Sequence, residues 1–201
     1  ERLKGSPNAV VRRTAIVLLR EFGGDEALAE LTEMLRDEDP QVQREAVRAM
    51  LNIGTERAYG ILEQSLAAGS AAFREALLQA VVGMRRERAS PLFAYILQHT
   101  DHRGALAPVY LRAIESLGML RDPASVDLLG EVLHRGEWWA PRRSARFRSA
   151  AAQSLSRIGT PEAVAALENA CTRGARAIRA AARPYLPAAT SERIRLERKA
   201  S

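Results

Sequence analysis

The chain has 201 residues, enough to bury a sizeable core as one large domain or two small ones. Apolar residues make up 47% and charged residues 27%, which argues against a disordered chain. Aromatics are only 5%, and an apolar content dominated by Ala, Leu and Val favours helix over sheet. A single cysteine, Cys171, excludes an intramolecular disulfide and a zinc site built on several thiolates. No apolar run approaches the roughly 18 residues that span a bilayer, and no signal peptide is visible, so a cytoplasmic location is expected. The first residues are Glu1-Arg2 rather than Met, in keeping with an excerpt of a longer protein.

Charge is placed unevenly. Residues 1–133 carry 16 basic and 19 acidic side chains, a net of −3, whereas residues 134–201 carry 14 and 5, a net of +9. Only Lys4 and Lys199 are lysines; the other 28 basic residues are arginines, whose planar fork pairs bidentately with carboxylates and phosphates. An acidic or phosphorylated partner near the C-terminal half fits this polarity.

In chain order the apolar residues define one repeating helix. Val11, Val42, Phe73, Leu106, Phe147 and Ile178 head its copies, at intervals of 31, 31, 33, 41 and 31 residues. Four residues on stand Ala15, Ala46, Leu77, Tyr110, Ala151 and Ala182; eight on stand Leu19, Met50, Val81, Ile114, Leu155 and Leu186. These positions share one face at 3.6 residues per turn. Gly23, Gly54, Gly118 and Gly159 follow, where a left-handed residue ends a helix. A second helix comes next in the first five units, with columns Ala27, Ala58, Ala89, Ala124, Ala163, then Leu31, Leu62, Phe93, Leu128, Leu167, then Leu35, Leu66, Leu97, Val132, Cys171. Asp39-Pro40, Pro123 and Pro161 supply helix starts. The expected fold is all-α: a right-handed α-solenoid of stacked antiparallel helix pairs, about five and a half repeats long. A single domain over 1–190 is expected, with a polar tail over 191–201.

This pattern resembles the HEAT family, in its short bacterial, phycobilisome-lyase-type form. The matching stretches are Glu38-Asp39-Pro40-Gln41-Val42-Gln43-Arg44-Glu45-Ala46 and Ile158-Gly159-Thr160-Pro161-Glu162-Ala163, with apolar-Arg pairs at Val11-Arg12, Phe73-Arg74, Phe147-Arg148 and Ile178-Arg179. The resemblance spans residues 6–186 and implies that the helices near 8–22, 40–53, 71–84, 107–120, 145–158 and 175–186 line the concave side. Leu106-Ala107-Pro108 departs from it by lacking the Arg, and Pro184 interrupts the last helix. The paired arginines are expected to bridge neighbouring layers, through turn carboxylates or the last carbonyls of the preceding helix; the alternative is a ladder of Arg12, Arg74, Arg148 and Arg179 that faces a ligand.

Catalytic motifs are scarce: there is no phosphate-binding glycine loop, no nucleophile elbow and no metal-binding helix motif. His99, His102 and Asp101 could at best form a weak metal site, and exposed histidines near helix ends explain them better. Cys171 stands in an apolar column and reads as core. No enzyme, no cofactor and no metal are therefore expected.

The longest interval has ten extra residues, eight of them between Leu133 and Phe147, where both tryptophans stand among arginines. A partner-binding loop over 134–148 is expected, with Trp138, Trp139, Arg135, Arg142, Arg143 and Arg146 as contacts; Arg48, Arg112 and Arg157 complete the set on the arginine-bearing helices. The reading is a non-enzymatic protein-interaction scaffold that binds an acidic or extended partner through the concave face and the 134–148 loop; the partner could be another domain of a longer chain. The alternative is a nucleic-acid module using the basic half, with an indole stacked on a base. A chromophore-lyase or chaperone subunit rests on the family name alone.

Overall fold

A computed structural model describes residues 6–82, 86–103, 106–136, 140–188, 190 and 192. All the regular elements among the described residues are helical, in agreement with the all-α expectation. The chain forms two compact units, Glu1–Leu106 and Ala107–Ser201. Among the described residues, no helix is long and apolar enough to cross a membrane.

The first unit holds α1 (Ala9–Phe22), α2 (Gly24–Met34), α3 (Pro40–Ile53), α4 (Glu56–Ala68), α5 (Ala71–Val82) and α6 (Arg86–His99). Short polar side chains start α1, α3 and α4 by taking otherwise orphaned N–H groups. Asn8 accepts from Val10 N at 2.9 Å, Asp39 from Gln41 N at 2.7 Å and Thr55 from Ala58 N at 3.2 Å. Gly54, with φ 68°, ends α3 in the left-handed conformation that a side chain disfavours. Helices α1, α3 and α5 pack in one row; α2 lies against α1 and α3, and α4 against α3 and α6. The predicted columns meet in the core, where Val42, Ala46, Met50, Leu31, Leu62 and Phe93 are all buried. Each large apolar side chain so buried contributes about 1.5–3 kcal/mol. Outside that column α1 leaves apolar side chains in solvent, with Val10, Val17, Leu18 and Phe22 exposed.

The second unit holds α7 (Ala107–Leu120), α8 (Val126–His134), α9 (Pro141–Ile158), α10 (Pro161–Arg173) and α11 (Arg176–Ala182). The Tyr110 ring meets Phe147 edge-on at 5.2 Å, and Ser154 Oγ donates to the Ile114 carbonyl at 2.9 Å, so α7 and α9 run side by side in the same direction. Two sequence expectations need correction here. Gly118 does not end its helix: α7 continues to Leu120, and Arg121 takes the left-handed turn at φ 49°. Gly118 instead lets α9 come close, because a Cβ there would lie 2.7 Å from Ser154 Cα. The column Ala124, Leu128 is also displaced by one residue. Asp122-Pro123 opens a 3₁₀ turn over Pro123–Ser125, and its tighter winding turns Ser125 and Leu129 inward while Ala124 faces solvent. Pro184 ends α11 as expected, in a 3₁₀ turn over Arg183–Tyr185.

Candidate partner-binding face

The expected loop over 134–148 is shorter than its sequence suggests. His134 closes α8 and Pro141 already opens α9, so only residues 135–140 connect them. Proline suits the first helical position, and Ser144 and Phe147 are buried at helical spacing ahead of Ala151, extending α9 backward by a turn. Arg142, Arg143 and Arg146 therefore stand on a helix and not on a loop. Trp138 and Trp139 lie outside the described residues.

Helix α9 carries five arginines, Arg142, Arg143, Arg146, Arg148 and Arg157, and no acidic residue. Arg142, Arg146 and Arg157 recur at offsets of 4 and 11 residues, which place them on one face with Ser149 and Gln153. All three arginines of that face are exposed, and Arg143 is half-buried. This placement opposes helix stability at the start. Cations near a helix N-terminus face the positive end of the backbone dipole, at about 0.3–1 kcal/mol each, and Arg142 and Arg146 repel one another. Ala140 offers no side-chain cap to the free N–H groups either. The start of α9 is thus a concentrated positive site that an anion would relieve. Arg157, in the last turn, complements the dipole instead.

The other expected contacts are scattered or engaged. Arg135 caps α8 through its N–H to the Glu131 carbonyl at 2.8 Å and donates from its guanidinium to Tyr110 Oη at 3.0 Å. Burial pushes the Tyr110 phenol above its usual pKa, against the opposing charge and hydrogen bond of Arg135. Arg112, half-buried on α7, lies 3.9 Å from Glu115. By the register of α7 on α9 it stands at the level of Ser149, eight residues or about 12 Å of helix from Arg157. Arg48 belongs to the first unit and is held at 2.7 Å by Glu45. Within the second unit the structure brings Arg142, Arg146 and Arg157 to one face of α9.

Sequence reasoning missed a cavity of about 740 Å³ beside α9, lined by Arg148, Ser149, Ala177, Ala180, Pro184 and Tyr185 among others. Its only advance signal is the run of alanines in α11 where bulkier residues would fill the space.

Residues 1–82 match the family described as HEAT repeats, and residues 109–135 and 147–173 match the PBS lyase HEAT-like repeat. The chain belongs to the HEAT-repeat family. No curated protein sequence matches it. Solved structures that resemble this HEAT chain include an engineered protein, 17% identical, covering 92% of both chains with a TM-score of 0.39. The complex of CpcE and CpcF of phycocyanin lyase from Nostoc sp. PCC7120 is 21% identical over 90% of this chain and 72% of that one, with a TM-score of 0.39. Human deoxyhypusine hydroxylase in complex with glycerol is 16% identical over 95% and 93%, with a TM-score of 0.34. At such values the likenesses say nothing of activity.

The recurrent arginines of the HEAT units tie turns to helices. Arg12 forks onto Asp37 with two bonds of 2.8 Å and donates a third to the Ser6 carbonyl at 2.8 Å, with both charged side chains nearly buried. Burial pushes the Asp37 carboxyl up, but the Arg12 hydrogen bond, the Asp39 N–H and the Arg12 charge outweigh it and hold it below its usual pKa. Arg74 donates to the Gly69 carbonyl at 3.0 Å and Arg179 to the Gly174 carbonyl at 2.6 Å, each the cap residue of the preceding helix. His99 stacks on Tyr95 at 4.0 Å and bonds its carbonyl through Nδ1 at 3.0 Å. Among the described residues no group of three His, Cys, Asp or Glu is arranged to hold a metal. Cys171 is buried in its column.

Proposed function

We propose that this HEAT chain is a non-enzymatic protein-interaction scaffold that takes an acidic, extended segment of a partner on the arginine face of α9. The observation that carries the reading is a helix of 18 residues with five arginines, no carboxylate and its exposed cations on one side. Such a placement costs helix stability and gains only when a negative partner covers it. Trp138 and Trp139, immediately before α9 in sequence, would add aromatic contacts to the same partner.

Fluorescence anisotropy of labelled polyglutamate against the full chain tests this reading. The triple variant Arg142→Gln, Arg146→Gln, Arg157→Gln is expected to bind about tenfold more weakly and with a shallower salt dependence, while its thermal stability is equal or slightly higher because two unfavourable cations leave the start of α9. Equal binding by the variant would remove the α9 face. Tighter binding of an oligothymidylate, falling steeply with salt and lost in the same variant, would make the chain a nucleic-acid module instead.

A further inference from the structure

We infer that the cavity beside α9 is a receptor for a carboxylate with a neighbouring aliphatic side chain, presented by an acidic partner peptide, with Arg148 as the group that reads the carboxylate. The inference rests on the proposed acidic protein partner and adds where that partner anchors.

The first support comes from the repeat itself. Arg12, Arg74 and Arg179 stand at the same column as Arg148, and each of the three is bonded to a carboxylate or a cap carbonyl. Arg148 is the exception: its Nε is buried with no hydrogen-bond acceptor among the described residues. The reason lies in where α9 starts. Arg74 and Arg179 each use the carbonyl five residues earlier, which belongs to a turn. Five residues before Arg148 is Arg143, already inside α9, where backbone carbonyls accept from N–H groups four residues on. The early helix start therefore removes the acceptor that the other units provide. A guanidinium left without an acceptor is costly, and a carboxylate in the cavity that Arg148 lines would offset that cost through short, charge-assisted bonds to its terminal N–H groups.

The surroundings fit such an occupant. The guanidinium of Arg148 lies against the Gly136 backbone, at a place that a Cβ on that residue would occupy, so it is held at the cavity margin. Ser149 Oγ and Tyr185 Oη stand 3.3 Å apart, and one hydrogen between them leaves the other free to donate to a second carboxylate oxygen. Ala177, Ala180 and Pro184 provide short apolar walls. The volume of about 740 Å³ lies in the range of pockets that take small ligands and exceeds any one side chain. Helices α9 and α11 with the following turn carry eight arginines and no carboxylate, so the field draws in anions. Walls of Ala and Pro suit an aliphatic side chain, and Tyr185 is the one aromatic among the lining residues named above, its hydroxyl bonded to Ser149.

The test is anisotropy on the full chain with a labelled peptide of alternating Glu and Leu. Polyglutamate, an alternating Gln–Leu peptide and an oligothymidylate serve as comparisons. The Glu–Leu peptide is expected to bind about tenfold more tightly than each of them. Arg148→Gln, which removes the charge, and Ala180→Phe, which fills the cavity from an exposed helix position, should each cost about tenfold. If Arg148→Gln fails to fold, Ala180→Phe decides alone. Wild-type affinity in Ala180→Phe, or equal binding of polyglutamate and the Glu–Leu peptide, overturns the cavity assignment. If the triple arginine variant of the α9 face still loses polyglutamate in that case, the scaffold reading survives without it. Preference for the oligothymidylate overturns both.

Discussion

Replacing Phe147 with Ala is expected to destabilise the second unit by about 3–5 kcal/mol, the largest loss for any single substitution considered in this chain. Phe147 is buried and lies edge-on to Tyr110, which is itself fully buried. Truncation removes the aromatic contact and opens a void that two parallel helices close only in part. Tyr110 then gains water, so its phenol should also titrate nearer its usual range, because burial is what raises it. Urea denaturation checks the first effect and ultraviolet titration of the phenol the second. An unchanged urea midpoint would show that Phe147 does not join α7 to α9.

Gly118→Val should cost about 3 kcal/mol, at the upper end for overpacking. The obstacle is Ser154, whose Oγ, Cβ and Cα would lie 2.5, 2.6 and 2.7 Å from a Cβ on Gly118. Two of these atoms belong to or adjoin the backbone, so α9 itself must move. Gly118→Ala provides a test of sign. In an uncrowded helix interior Ala is better than Gly by about 1 kcal/mol, so loose packing would make that variant more stable. Close approach makes it less stable, and the thermal midpoint of Gly118→Ala separates the two.

Much of the fold is legible in the sequence because stacked repeats impose the same volume at the same place. Ala46, Met50, Leu31 and Leu62 recur in columns, and those columns form the buried core. Glycine is ambiguous at this level. Gly54 and Gly159 end helices with positive φ, whereas Gly118 sits inside one for the sake of its neighbour. Spacing alone does not separate a cap from a close contact with Ser154 on another helix. The displaced column at Ser125 and Leu129 follows from Asp122-Pro123, where a 3₁₀ turn changes the winding without changing composition.

The candidate site was legible in part. Clustering of Arg142, Arg143 and Arg146 was plain, but Pro141 was available as a helix start, and with it the expected loop becomes the first turns of α9. That shift also takes the turn carbonyl away from Arg148. The sequence shows Arg148 as one more member of an arginine series, and only the bonding of Arg12, Arg74 and Arg179 sets it apart.

Hydrogen exchange on the whole chain, with and without a saturating Glu–Leu peptide, reports directly where an acidic segment rests. Slowed exchange is predicted over residues 135–158 and 176–185, with α1 to α4 unchanged. Protection confined to residues 9–68, or none anywhere while the peptide is bound, would contradict the assignment of α9 as the receiving surface.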